Sequence, residues 1–244
     1  MKNVFLDTNV LIAIIFLINS HYLKAKEVFE LYQNYYWSNG VVRELNLRFG
    51  EKQINLTKFY MDLKLFLENP EKDLYSNRDL LNFVKNHYSE KLFEDAKNSI
   101  EPFWNNYIGV ESMVPFFNIK TSINFCLNDL RITCVGNKQK LENKLVLAPQ
   151  RNNDYSQIDA MLESLGVHEE DRKIILDGHD FACFSSQPVD FVTFDDDCFN
   201  GAKILICCAS IQSRENMISG HHDSIFSFAN QLYTIRNIIS IKVI

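Results

Sequence analysis

Val4-Phe5-Leu6-Asp7-Thr8-Asn9-Val10-Leu11-Ile12 is a short apolar run that ends in an acid, passes two polar residues and continues apolar. The first part reads as a buried strand and the second as the start of a helix. An acid at the carboxyl end of a strand lies where open α/β sheets place their ligands. Asp7 is therefore the first candidate for chemistry.

Three downstream segments extend this reading. Asp190-Phe191-Val192-Thr193-Phe194-Asp195-Asp196-Asp197 is a second β-rich run that closes on carboxylates. Two parallel strands that deliver acids to one edge concentrate negative charge there. Each carboxylate pair at ~5 Å costs about 3 kcal/mol at an effective dielectric near 20, so such a cluster takes up protons or binds a cation. The cation is the reading adopted here. In Ser38-Asn39-Gly40-Val41-Val42-Arg43-Glu44-Leu45 a helix begins and carries Glu44 on its first turns. In Ile174-Ile175-Leu176-Asp177-Gly178-His179-Asp180-Phe181-Ala182-Cys183-Phe184 an acid is expected to open an apolar helix, where the dipole favours negative charge.

The order of these parts resembles the PIN-domain nucleases: a strand ending in Asp-Thr-Asn, a Ser-x-x-Val-x-x-Glu-Leu helix, an Asp-initiated helix and a Val-Thr-x-Asp strand end. The resemblance covers roughly residues 1 to 48 and 170 to 210. It implies a Rossmann-like, three-layer α/β/α domain around a parallel sheet, clustered carboxylates that bind Mg²⁺ or Mn²⁺, and hydrolysis of RNA. The family's four acids fall on Asp7, Glu44, Asp180 and Asp195, and its polar helpers on Asn9 and Thr193. Two positions carry alternatives. Asp177 and Asp180 are three apart and can share a helix face, with Asp180 preferred because an apolar run follows it. Asp195 has the right spacing from Thr193, and Asp197 is its understudy as a metal ligand. In the implied mechanism the ion acidifies a bound water for in-line attack on phosphorus, with Thr193 and Asn9 fixing the carboxylates.

Length is the main departure, because 135 residues separate Glu44 from Asp180. The expected division is a catalytic core of residues 1–49 and 156–244 with a mainly helical insertion or cap at 50–155. Apolar spacing predicts helices at 21–33, 55–67, 78–88, 90–107, 156–165, 169–176 and 225–236, and strands at 35–37, 204–207 and 238–243. Gly166 is the expected stop of the 156–165 helix. The aromatics Phe83, Phe93, Phe103 and Trp104 read as helix packing rather than as base-stacking platforms.

Composition bounds the rest. The chain has 244 residues, 46% of them hydrophobic, and no Gly- or Pro-rich linker, which suits one enlarged domain or a core plus a cap. The apolar run from Val10 to Ile18 is far short of the ~20 residues that span a bilayer. Six cysteines show no Cys-x-x-Cys pair and no zinc spacing, so a reduced, cytoplasmic setting is expected. The net charge of −6 does not favour nucleic acid, but its distribution is uneven. Between Arg131 and Arg151, Lys138, Lys140 and Lys144 join the two arginines against Glu142 alone. Those lysines, with Arg43 beside Glu44, are the candidate RNA contacts.

RNA is thus the expected substrate, no membrane is involved, and a protein partner or antitoxin at the insertion, or a homodimer, is compatible with the chain. The rival reading is a non-catalytic RNA- or protein-binding module on a PIN-like fold. A toxin role is disfavoured by the length. A haloacid-dehalogenase-like phosphatase would want a second Asp where Asn9 stands.

Overall fold

The computed structural model describes residues 3–88, 90–185 and 189–195, and the backbone of 238–240. Asp196, Asp197, the strand expected at 204–207 and the helix expected at 225–236 lie outside the described residues.

Apolar strand segments assemble first. β1 (Asn3–Leu6), β2 (Asn34–Trp37), β5 (Leu145–Leu147), β6 (Val189–Thr193) and β7 (Ile238–Ser240) form one sheet in the order β5-β2-β1-β6-β7. Every pairing in it is parallel. Counted along the chain, the order is third, second, first, fourth, fifth: the chain builds outward from β1 on one side and then returns to its other side. This reversal makes the crevice beyond the carboxyl ends of β1 and β6 the switch point of the sheet.

Alternation along the strands sends successive side chains to opposite faces. Phe5 of β1 stacks on its register partner Phe191 of β6, with centroids 5.9 Å apart. Phe181 of α9 (Glu169–Phe184) packs against Phe5 and Tyr36 on that same face. On the opposite face the Tyr35 ring meets Phe29 of α2 (Tyr22–Leu31), and the Tyr32 hydroxyl donates to Asp190 at 2.8 Å. Helices thus cover both faces of a parallel sheet, an arrangement compatible with a three-layer α/β fold.

Gly178 explains why α9 is one helix where two were expected. It reads as a break, yet it lies mid-helix, where a Cβ would come within 2.9 Å of the Phe191 ring and 3.2 Å of Phe5. The glycine is there for close approach of helix to sheet. Gly178→Ala should therefore destabilise the protein by about 1–3 kcal/mol through overpacking, despite the better helix propensity of alanine. Chemical denaturation is the measurement, and an unchanged or raised midpoint would contradict it.

The chain divides into two compact units. The first holds residues 1–11, 27–44 and 144–244; the second holds 12–26 and 45–143. The division differs from the expected 50–155 insertion at both ends. Residues 12–26 join the helical unit, and 144–155 join the sheet because Leu145–Leu147 pairs with Tyr35–Trp37. The helix of Glu44 and the one expected at 55–67 are a single 28-residue α3 (Asn39–Phe66).

The second unit is helical apart from a two-residue ribbon of β3 (Leu74–Tyr75) and β4 (Val114–Pro115). Its core is aromatic: Phe59, Tyr60 and Phe103 are fully buried, and Phe83 and Trp104 nearly so. Burial of these rings removes them as base-stacking surfaces. Phe93, partly exposed, has the Lys97 ammonium over its ring. Among the described residues, no helix is long and apolar enough to cross a membrane.

Candidate active site

The candidate site is built at the carboxyl ends of β1 and β6. The Asp7 amide donates to the Val192 carbonyl at 3.1 Å, which extends the β1–β6 ladder one residue past the strand. The Asp7 carbonyl then accepts from Val10 and Leu11, and α1 (Thr8–Ile15) begins. The acid is thereby held at the junction of strand and helix. One carboxylate oxygen accepts from the Thr8 amide at 2.5 Å and the other from the Thr193 hydroxyl at 2.6 Å.

Thr193 is the hub of this corner. Its single hydroxyl proton goes to Asp7, and its oxygen accepts from the Asp195 amide at 2.9 Å and from Asn9 Nδ2 at 3.3 Å. That uses the one donor and both lone pairs of a hydroxyl. Asn9 Oδ1 in turn accepts from the Phe194 amide at 2.9 Å. Asn9 and Thr193 therefore tie the end of β6 to the start of α1 and aim the Asp7 carboxylate.

Glu44 arrives from α3. Ser38 opens that helix, its carbonyl accepting from Val42 and its Oγ from Val41, an arrangement expected of an N-terminal serine. Two turns on, Glu44 Oε2 accepts from the Thr8 hydroxyl at 2.7 Å.

Asp7 is 3% exposed. Burial pushes its carboxyl up to about 7; Glu44 and Asp171 raise it further, while the Thr193 and Thr8 hydrogen bonds oppose the rise. Asp171, which the sequence reading did not single out, makes the smallest of these contributions. A crossover helix runs antiparallel to the strands it joins, so α9, which leads into β6, starts at the carboxyl edge of the sheet. Glu169, Glu170 and Asp171 occupy that first turn. Arg172 anchors it, with Nε 2.9 Å from Asp159 and Nη1 donating to the Val167 carbonyl at 3.0 Å.

Asp180 is nine residues beyond Asp171, about 13.5 Å along the helix axis. It is buried in the interior of α9, not at its start, and accepts from the Asn152 amide at 3.2 Å and Asn153 Nδ2 at 2.6 Å. Its neighbours are a structural network. The Tyr155 hydroxyl and His179 Nδ1 are 2.9 Å apart, and Cys183 Sγ is 3.7 Å from that nitrogen. Burial, then Asp180, pushes the Cys183 thiol up to about 11, so it is no nucleophile at neutral pH. Asp177 bonds Ser38 and lies 3.8 Å from Arg151; burial raises its carboxyl, and Ser38 and Arg151 lower it.

Lys138 is paired with Glu142 at 2.5 Å and sits over the Phe49 ring. Lys140 is exposed on α7 (Cys134–Glu142) of the second unit, whereas Lys144 is an exposed residue of the first. Arg151 is turned toward Asp177 and Tyr155. Arg43 is exposed on α3, one residue before Glu44.

The donor set is oxygen-rich, which suits a hard divalent cation. Among the described residues, no three His, Cys, Asp or Glu side chains come close enough to hold one ion. Asp7, Glu44 and Asp171 share a field rather than a closed cage. Comparison of the chain with protein-family models, with curated proteins and with solved structures finds no match in any of the three.

Proposed function

We propose that this chain is a metal-dependent nuclease of the PIN type that hydrolyses RNA phosphodiester bonds. One observation carries the reading. A buried carboxylate, Asp7, stands at the switch point of a parallel sheet, is aimed by the Thr193 hydroxyl, and has Glu44 and Asp171 as electrostatic neighbours. Like charges gathered at the ligand-binding edge of an α/β sheet are costly without a counter-ion, and structural needs alone do not call for them there.

In this reading Asp7 and Glu44 would hold Mg²⁺ or Mn²⁺ directly, with Asp171 and Asp195 reaching it through its waters. Once bound, the ion supplies Lewis acidity to the phosphoryl oxygen and acidifies water. The chain's own groups do the positioning. Thr193 and the Thr8 amide fix both oxygens of Asp7, the Thr8 hydroxyl orients Glu44, and Asn9 holds the strand end that carries Asp195.

The test is cleavage of end-labelled single-stranded and hairpin RNA by the purified chain with Mn²⁺, beside Asp7→Asn. Cleavage that stops with a chelator and in the variant is the expected result. Cleavage that survives in Asp7→Asn, or a wild type inert on both RNAs with Mn²⁺ and Mg²⁺, would overturn the nuclease and favour a non-catalytic binding module.

A further inference from the structure

One side of α3 is finished and the other is not. Leu56, Phe59, Tyr60, Leu63 and Leu67 are fully buried in the second unit. On another face, Leu47, Ile54, Met61 and Leu65 are 67, 69, 46 and 59% exposed. Single exposed apolar residues are ordinary; these four are not scattered. With the exposed Glu51 and Lys58 they occupy positions 47, 51, 54, 58, 61 and 65, a strict alternation of four- and three-residue steps. That is the spacing of a coiled-coil seam, and over these 18 steps it runs about 27 Å along the helix.

We propose that this seam pairs two copies of the chain, antiparallel about a two-fold axis. The sequence of the stripe is self-complementary in that sense only. Set antiparallel with the axis level with residue 56, Leu47 of one copy meets Leu65 of the other, Glu51 meets Met61, and Ile54 meets Lys58. Each layer recurs by symmetry, as an isologous interface requires. Glu51 then lies one layer from Lys58 of the second copy, twice over. A parallel pairing would instead stack Glu51 on Glu51 and Lys58 on Lys58, like charges facing each other. Charge thus selects the antiparallel register, and the apolar residues supply the burial. A single helix pair of this length covers on the order of 1,000 Å², near the lower bound for a specific interface, so a dimer in the micromolar range is expected.

Sedimentation velocity of the full chain over a concentration series reads the equilibrium directly. Wild type should pass from monomer to dimer. Glu51→Lys and Lys58→Glu should each weaken the dimer at least about tenfold, since each puts two like charges one layer apart across the seam. The double exchange E51K/K58E should restore it. Restoration also guards against simple misfolding, because the double variant carries both changes. A wild type that stays monomeric throughout the series, a dimer indifferent to both single reversals, or a double variant no tighter than the singles would each overturn the pairing.

Discussion

Asp171→Asn should abolish Mn²⁺-dependent RNA cleavage, while Asp180→Asn should leave the rate within a few-fold of wild type and lower thermal stability instead. The expected loss at Asp171 exceeds the ~10–100-fold typical of residues that only support a ligand, because Asp171 shares the field of Asp7 at the carboxyl edge of the sheet. Asp180 has a different task. It accepts from the Asn152 amide and from Asn153, so it ties the segment after β5 to α9. The amide variant loses charge-assisted hydrogen bonds, each worth about 1.5–3 kcal/mol when buried. Rates under single-turnover conditions and melting temperatures separate the two roles. The opposite pattern, with activity lost at Asp180 and kept at Asp171, would return the third site to the helix interior.

The two acids also show which parts of the molecule were legible in the sequence. Asp7, Asn9, Thr193 and Asp195 could be found because the pattern around them is local: an apolar strand, an acid or Thr-x-Asp at its end, then a change of periodicity. Their meeting in space follows from one topological fact, that β1 and β6 are neighbours. Where α9 starts was less legible, and Gly178 hid it. A glycine in an apolar run suggests an end, whereas here it is a packing contact with Phe191 and Phe5. The signal that could have found Asp171 is directional: the helix that leads into an acid-bearing parallel strand begins at the ligand edge, so its first-turn acids outrank those further along. The limits of the helical unit were hidden for a similar reason. Leu145–Leu147 is too short to stand out as a strand, and α3 runs from one unit into the other without a break. In the basic stretch at 131–151, Lys138 is paired with Glu142 and Arg151 lies beside Asp177, partners that a charge count along the sequence does not reveal.

Without metal, stability should fall as pH rises through about 7, and Mn²⁺ should reverse that fall. The cause is Asp7, whose carboxyl burial holds near 7 against an unfolded value close to 3.9. Between those values the native state binds the proton that the unfolded chain has released, so its contribution is greatest below the unfolded value and is lost as pH climbs past the folded one. Three pH units correspond to about 4 kcal/mol, an upper bound for the swing from this group. Asp7→Asn carries no such proton and should show a flatter profile between about pH 4 and 7. A bound cation replaces the proton as the counter-charge, so stabilisation by Mn²⁺ should grow with pH in wild type and be small in the variant. Thr193→Val, which removes the hydrogen bond that lowers the Asp7 value, should move the wild-type fall to higher pH and weaken the Mn²⁺ effect. Melting curves across pH, with and without Mn²⁺, test all three proteins together. Parallel pH profiles for wild type and Asp7→Asn would show that Asp7 is not the buried titrating group. A Mn²⁺ effect of equal size in both would place the ion away from Asp7.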